Sequence, residues 1–354
     1  MVAKAVIVKV QSVTNHPNAD KLDVVTAGGY TIITGKGTFK SGDLRILIEP
    51  DIVIPKDKSP LLEELLKGFP DNLSRVRAIK LRGLWSEGIL LPQNPLEETI
   101  KEGDDVTKTL GLSVYEPQVK VNTRISGAAM STPFPYFIPK TDSERVEKFP
   151  NVALSRYAFT HKIDGCSATY YVKTATYKPN WLDHLTSIFG RKLPKYTVVD
   201  SGVCSRNCKL DKQGDKDSVY YKINDKYNII PLLTAYCLEN GESIAIQGEI
   251  FGNGINASPP NKNAKERLGF RAFAVYDING KDYVYPHRIL DTLLIPFVLY
   301  ASLGPLVELN VDNLRTYAEH HGLEGVVGRN ISTTVDEENP MFIKIMNREY
   351  DSKK

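Results

Sequence analysis

A chain of 354 residues with 42% hydrophobic and 25% charged content is ordinary globular material and longer than one average domain, so at least two domains are expected. The net charge of +3 is too small to argue nucleic-acid binding by bulk attraction, so any hold on phosphates has to come from local clustering. No apolar run reaches the roughly eighteen residues of a membrane span, and the most apolar stretch, Leu293 to Leu303, is interrupted by Pro296 and reads as core.

The N-terminus opens as a strand, Ala5-Val6-Ile7-Val8-Lys9-Val10, with no basic-then-apolar leader. A cytoplasmic-type compartment, a monomer and no membrane association are therefore expected. Short alternating runs come next at Ala5–Val13, Leu22–Thr26, Tyr30–Thr34, Leu44–Ile48 and Gly88–Leu91, with Gly28-Gly29 reading as a tight hairpin turn. Ser59-Pro60-Leu61 opens a short helix over Leu61–Leu66, with Ser59 as its cap and Gly68 ending it. Five short strands and one helix fit an OB-type β-barrel over residues 1–118, with a small sandwich as the rival.

From Val121 to Pro150 the prolines Pro133, Pro135, Pro139 and Pro150 lie among Ser, Thr, Gly and Asn, around the charged patch Lys140 to Arg145. This reads as a linker and lead-in, 119–150, to a second domain over 151–354. That domain is strand-rich: Tyr157–Ile163, Ala168–Thr174, Tyr196–Val199, Ser243–Phe251, Arg271–Asp277, Gly325–Gly328 and Met341–Met346. Helices are expected at Ile229–Glu239 and Val311–His320, which makes an α+β domain on antiparallel sheets. The lysines of Ser352-Lys353-Lys354 are expected to fray. Cys166, Cys204, Cys208 and Cys237 complete no zinc pattern and read as buried free thiols.

Lys162-Ile163-Asp164-Gly165 is common by chance, but the ordered set of motifs downstream of it is not. Ser205-Arg206-Asn207, Gly248-Glu249-Ile250-Phe251-Gly252, Tyr276-Asp277, Glu324-Gly325-Val326-Val327 and Ile343-Lys344-Ile345 succeed one another along the chain. A lysine can attack phosphorus only after losing its proton. Asp164 beside it could bind a ribose hydroxyl or a metal-bound water, and Gly165 could let a sugar or phosphate approach the backbone. Glu249 and Glu324, each against an apolar strand, are costly unless paired or metal-bound, and oxygen ligands suit a hard divalent cation. Arg206 suits bidentate phosphate binding, Lys344 a point contact to a triphosphate, and Tyr276 a stack on a purine.

Together these motifs resemble the ATP-dependent RNA ligases of the covalent nucleotidyltransferase superfamily, in particular the nick-sealing type with an N-terminal OB domain. The resemblance implies an ATP-grasp-like ligase domain after the barrel, with Lys162 as the nucleophile that forms a lysyl-AMP. It implies that Lys162, Gly165, Arg206, Glu249, Tyr276, Glu324 and Lys344 hold ATP or AMP, and that Glu249, Glu324 and Asp164 support Mg2+ or Mn2+. Asp164, Glu249, Glu324 and Lys344 join Lys162 as catalytic residues. The partner expected is RNA ends or a nicked duplex of RNA or RNA/DNA. His16-Pro17-Asn18-Ala19-Asp20-Lys21-Leu22 and Leu81-Arg82-Gly83-Leu84-Trp85-Ser86-Glu87-Gly88-Ile89 resemble segments of tRNA-binding OB domains, making Lys21, Arg82 and Trp85 candidate RNA contacts. Relatives often carry Lys-x-Lys in the final motif, where this chain has Lys344-Ile345-Met346. The rival readings are a guanylyltransferase using GTP and a nucleic-acid-binding protein with an inactive ligase domain.

Overall fold

The computed structural model describes residues 3–55, 62–63, 66, 74–92, 101–115, 132–179, 181, 183, 192–257, 259–332 and 335–353. Its first strands are β1 (Ala5–Asn15), β2 (Leu22–Ala27), β3 (Tyr30–Gly35), β4 (Leu44–Ile48), β5 (Ile52–Val53), β6 (Ala78–Leu81), β7 (Leu84–Glu87), β8 (Ile89–Leu90) and β9 (Ser113–Val114). Next come β10 (Thr132–Pro133), β11 (Glu144–Arg145), β12 (Tyr157–Lys162), β13 (Cys166–Thr176), β14 (Tyr196–Cys204) and β15 (Cys208–Lys209). Helices α1 (Val219–Tyr227) and α2 (Ile229–Asn240) lead to β16 (Ile244–Phe251), β17 (Gly269–Asp277) and β18 (Asp282–Val284). The chain closes with α3 (His287–Thr292), α4 (Val311–His321), β19 (Gly325–Asn330), β20 (Phe342–Met346) and α5 (Arg348–Lys353). Among the described residues, no helix is long and apolar enough to cross a membrane.

Packing divides the chain into two units that do not follow chain order. One takes Met1–Gln118, Asp142–Lys162 and Tyr300–Lys354; the other takes Val119–Thr141 and Ile163–Leu299.

In the first unit, an N-terminal OB-fold is built on a sheet in the order β3-β2-β1-β4-β8. The long β1 serves two partners: Ala5 to Lys9 pair with β4, and Val10 to Asn15 pair with β2. A bulge between Val10 and Ser12 separates the two halves and bends the strand, which is how one sheet curls toward a barrel. Ala5, Ile7, Ile46 and Ile48 fill one apolar cluster, and Val8, Val10, Val25, Tyr30 and Leu47 another. Gly28 and Gly29 make the expected two-residue turn, at φ 57° and 82°, joining Ala27 to Tyr30. A second hairpin, β6–β7, turns at Arg82-Gly83 and lies outside the strands expected from alternation. Of the expected helix, Leu62, Glu63 and Leu66 are described, whereas Ser59 and Gly68 lie outside the described residues.

The same unit carries a second sheet, β11-β20-β19-β12, in which β11 runs parallel to β20 and the other neighbours are antiparallel. Leu314 and Ala318 of α4 pack with Val146, Phe149, Val326, Ile343 and Ile345 beneath it. Here two expectations need correction. The stretch read as linker supplies β11, and Val146 and Phe149 are buried, because apolar residues interleave its charges. Ser352 and Lys353 are helical rather than frayed: Asp351 and Tyr350 are buried, and Lys353 pairs with Glu349 at 2.6 Å one turn away.

The second unit is a sheet in the order β10-β15-β14-β13-β16-β17-β18. Cys166, Ala168, Tyr170, Ile244, Ile246 and Ile250 on one face pack against Tyr220, Ile223 and Leu233 of α1 and α2. Ser218 caps α1 by accepting from the Tyr221 amide, and Gly241 ends α2 at φ 71°. No local signal announces α1, because tyrosine, asparagine and aspartate are indifferent helix formers; its apolar face against the sheet holds it.

Candidate active site

Lys162 is the last residue of β12 and lies opposite Gly325 at the start of β19. Glu324 immediately precedes that strand, and its Oε2 accepts from Lys162 Nζ at 2.5 Å. Glu324 is buried, and its backbone oxygen accepts from the Asn347 amide at 3.0 Å, so both ends of the residue are fixed. A side chain at Gly325 would meet the Ile345 carbonyl at 2.4 Å. Glycine is therefore what allows β20 to come close enough to align this corner.

Cross-strand register places the cations. Lys162, Gly325 and Met346 form one row across the sheet; Thr160, Val327, Lys344 and Arg145 form the next on the same face. Lys162 and Lys344 thus stand in adjacent rows. Met346 is buried. Burial holds the Lys344 ammonium below the usual lysine range; Asp51 opposes this, and Arg145 and Lys162 add to it.

Sequence reasoning missed the surroundings of Lys344. Asp51 Oδ2 lies 3.7 Å from Lys344 Nζ and 3.0 Å from Arg145, while its Oδ1 lies 2.5 Å from Arg75. Asp351 takes both arginines at 3.4 and 3.3 Å, and Glu87 pairs with Arg348 at 2.6 Å. Burial alone would raise the Asp51 carboxyl, but Arg145, then Lys344 and Arg75, hold it well below the usual carboxylate range. These partners are far apart in the chain, so no local pattern announces them.

The second unit holds the other candidates. Asp164 is buried, with Oδ1 accepting from Asn256 Nδ2 at 3.0 Å; the same amide donates to the Gly165 carbonyl at 2.7 Å. Asn261 donates to the Asp164 carbonyl at 3.1 Å. Two asparagines from one loop thus clamp the turn after the candidate nucleophile, a pairing between distant parts of the chain that no spacing reveals. A Cβ on Gly165 would lie 2.1 Å from the Ile250 carbonyl and 2.9 Å from Glu249 Cγ. The glycine is needed for close packing on β16.

Ser167, Glu249 and Arg271 form one row on the face opposite the helices, and Tyr171, Ala245 and Tyr276 form another on that face. The sheet therefore presents Glu249 and Tyr276 on one side. Tyr276 is buried there among Ile138, Tyr171 and Ile278, edge-on to Tyr283 with ring centroids 5.1 Å apart. Arg206 is exposed at the β14–β15 turn, where Ser205 and Cys208 close the loop at 2.9 Å. Its neighbour Asn207 accepts from Lys140 Nζ at 3.1 Å. Among the described residues, no three His, Cys, Asp or Glu side chains group as a metal cage.

On the barrel, the two tRNA-binding-like segments meet. His16 Nε2 lies 3.2 Å from the Leu81 carbonyl, and Asn18 Nδ2 donates to the Arg82 carbonyl at 3.1 Å. Arg82 and Lys21 are exposed, and Lys80 Nζ sits 5.5 Å from the half-buried Trp85 ring.

The RNA ligase family model matches residues 155–346, more than half of the chain, and an OB-fold domain model matches residues 4–93. No curated protein matches the chain. Among solved structures, a lysine-to-alanine mutant of Naegleria gruberi RNA ligase with ATP and Mn superposes with a TM-score of 0.72 at 23% identity, over 99% of this chain and 98% of that one. A glutamate-to-alanine mutant of the same ligase with AMP and Mn gives 0.73 at 24% identity, over 99% of each chain. The ligase with PPi gives 0.72 at 24% identity, over 99% of this chain and 98% of that chain.

Proposed function

Because the chain belongs to the RNA ligase family, we propose that it joins a 3′-hydroxyl to a 5′-phosphate in three steps, through AMP carried on Lys162 and at nicks in duplexes. The observation that carries this reading is the Lys162–Glu324 pair at 2.5 Å, one row from Lys344 on the same sheet face. The solved Naegleria gruberi ligases hold ATP, AMP and PPi, which are the nucleotide substrate and the two released products of such a three-step reaction.

In the first step Lys162 yields a proton, for which Glu324 is the adjacent acceptor, and its Nζ attacks the α-phosphorus of ATP. An N–P bond forms, the α–β phosphoanhydride bond breaks and pyrophosphate leaves. Lys344 and Arg206 neutralise phosphate charge, Tyr276 stacks on adenine, and Asp164 and Gly165 shape the ribose side. The AMP then passes from Lys162 to the 5′-phosphate, and a 3′-hydroxyl attacks that phosphorus and expels AMP. A divalent cation supplies charge stabilisation at the phosphorus when bound. Glu249, Glu324 and Asp164 are the carboxylates that would hold it, through oxygen contacts suited to a hard divalent ion.

Residues 1–118 serve as the polynucleotide-binding domain, with Lys21, Arg82 and Trp85 as its RNA contacts, and 151–354 as the adenylyltransferase. Sealing of matched nicked duplexes with RNA or DNA on either side, with Mg2+ and Mn2+ in turn, tests the reading. Sealing that needs ATP supports it; sealing driven only by GTP, or none with any duplex, contradicts it.

A further inference from the structure

A carboxylate from the barrel, Asp51, lies 3.7 Å from Lys344. Asp51 sits in the turn before β5 in a left-handed conformation, φ 75°, which a non-glycine residue adopts only when its surroundings enforce it. Its amide donates to the Val76 carbonyl at 3.0 Å and its carbonyl accepts from the Tyr115 amide at 2.8 Å. Both backbone arms are thus tied to the barrel, and the side chain points into the ionic cluster.

Within that cluster the two oxygens divide their work. Oδ1 takes Arg75, whereas Oδ2 is shared between Arg145 at 3.0 Å and Lys344 at 3.7 Å. Arg145 and Lys344 are register partners on β11 and β20, so Asp51 spans the two strands from above. Cations Arg75, Arg145, Arg348 and Lys344 face carboxylates Asp51, Asp351 and Glu87. Arg75 and Arg145 side chains are 8% and 4% exposed, whereas Lys344 and Arg348 are 22% and 20% exposed, so the two lysine and arginine ends that solvent reaches are those of β20 and α5. A flexible lysine stem needs an anchor to present a point charge at one place, and a shared, loosely spaced carboxylate restrains it without neutralising the cluster.

We propose that Asp51 is a positioning residue for Lys344 in the ATP-consuming step. This rests on Lys344 contacting the phosphates of ATP, as in the proposed function.

The test uses the full-length protein and two assays: lysyl-AMP formation at varied ATP, and sealing of a nicked duplex already carrying AMP on its 5′-phosphate. Asp51→Asn should raise KM for ATP at least tenfold and leave sealing of the pre-adenylylated nick within threefold. Asp51→Glu, which keeps the charge but moves it, should fall between Asp51→Asn and the parent, and carries the test if Asp51→Asn does not fold. Arg348→Met disturbs the same ionic cluster through Glu87, so it should lower Tm and leave KM for ATP within twofold. An unchanged KM in the Asp51 variants, beside a raised KM in Lys344→Met, overturns the role of Asp51 alone. An equal rise in Arg348→Met reduces the effect to general destabilisation and also overturns it. An unchanged KM in Lys344→Met removes the underlying reading of Lys344, and the proposal with it.

Discussion

Lys162 Nζ and Glu324 Oε2 lie 2.5 Å apart, joined across the first register position of β12 and β19. A carboxylate so close fixes the direction of the lysine side chain, but a protonated amine cannot attack phosphorus. In the proposed reaction the pair orients Lys162, and Glu324 takes its proton before attack. Glu324→Gln keeps the shape and removes the acceptor. It should slow lysyl-AMP formation by at least about 100-fold, the scale of losing one charge-handling group in an active site. Single-turnover labelling with α-labelled ATP reads this directly.

Gly165→Ala tests the packing of the turn. The new methyl would sit 2.1 Å from the Ile250 carbonyl, and that backbone belongs to a central strand that cannot yield cheaply. Stability should fall by about 1–3 kcal/mol, seen as a lower denaturation midpoint, with loss of lysyl-AMP formation as Asp164 shifts. Undiminished stability would mean the turn is looser than its asparagine clamps indicate.

Asp51 sets an acid limit on stability. Its carboxyl is held below the usual range in the fold, so the folded state binds its proton less readily than the unfolded state does. The resulting stability is fully present above the ordinary aspartate pKa of about 3.9 and is lost as pH falls below it. Thermal midpoints measured between pH 6 and 3 should drop in the parent protein. In Asp51→Asn they should start lower and fall less steeply with acid.

The thiols should divide by burial. Burial, then Glu249, pushes the Cys166 thiol up to about 12; burial first also lifts Cys204 and Cys237 to about 12. These three are buried, whereas Cys208 is half-buried at the β14–β15 turn. Reaction with a thiol reagent at pH 8 in the native protein should modify Cys208 first, with the others reacting only on unfolding.

Much of the fold is legible in the order of residues alone. Alternating apolar residues mark β1 through β4, β12 and β16 to within a few residues, because a half-buried strand imposes period two on its own sequence. Lys162, Glu324 and Lys344 stand out by their order, and register then brings them onto one sheet. Contacts made by sequence-distant partners stay hidden. Asp51 reads as a turn residue, and Asn256 as loop filling, until Lys344 and Asp164 stand beside them. Glu144-Arg145 looks like linker because charges dominate a short window, while buried Val146 and Phe149 carry its packing.

Whether Lys162 carries the AMP is decided by incubating the purified protein with α-labelled ATP and a divalent metal and then mapping the labelled peptide. One covalent AMP is expected, on the peptide containing Lys162, absent in Lys162→Ala and not formed from GTP. Label that persists in Lys162→Ala, or that maps to another lysine, would contradict the assignment of Lys162 as nucleophile.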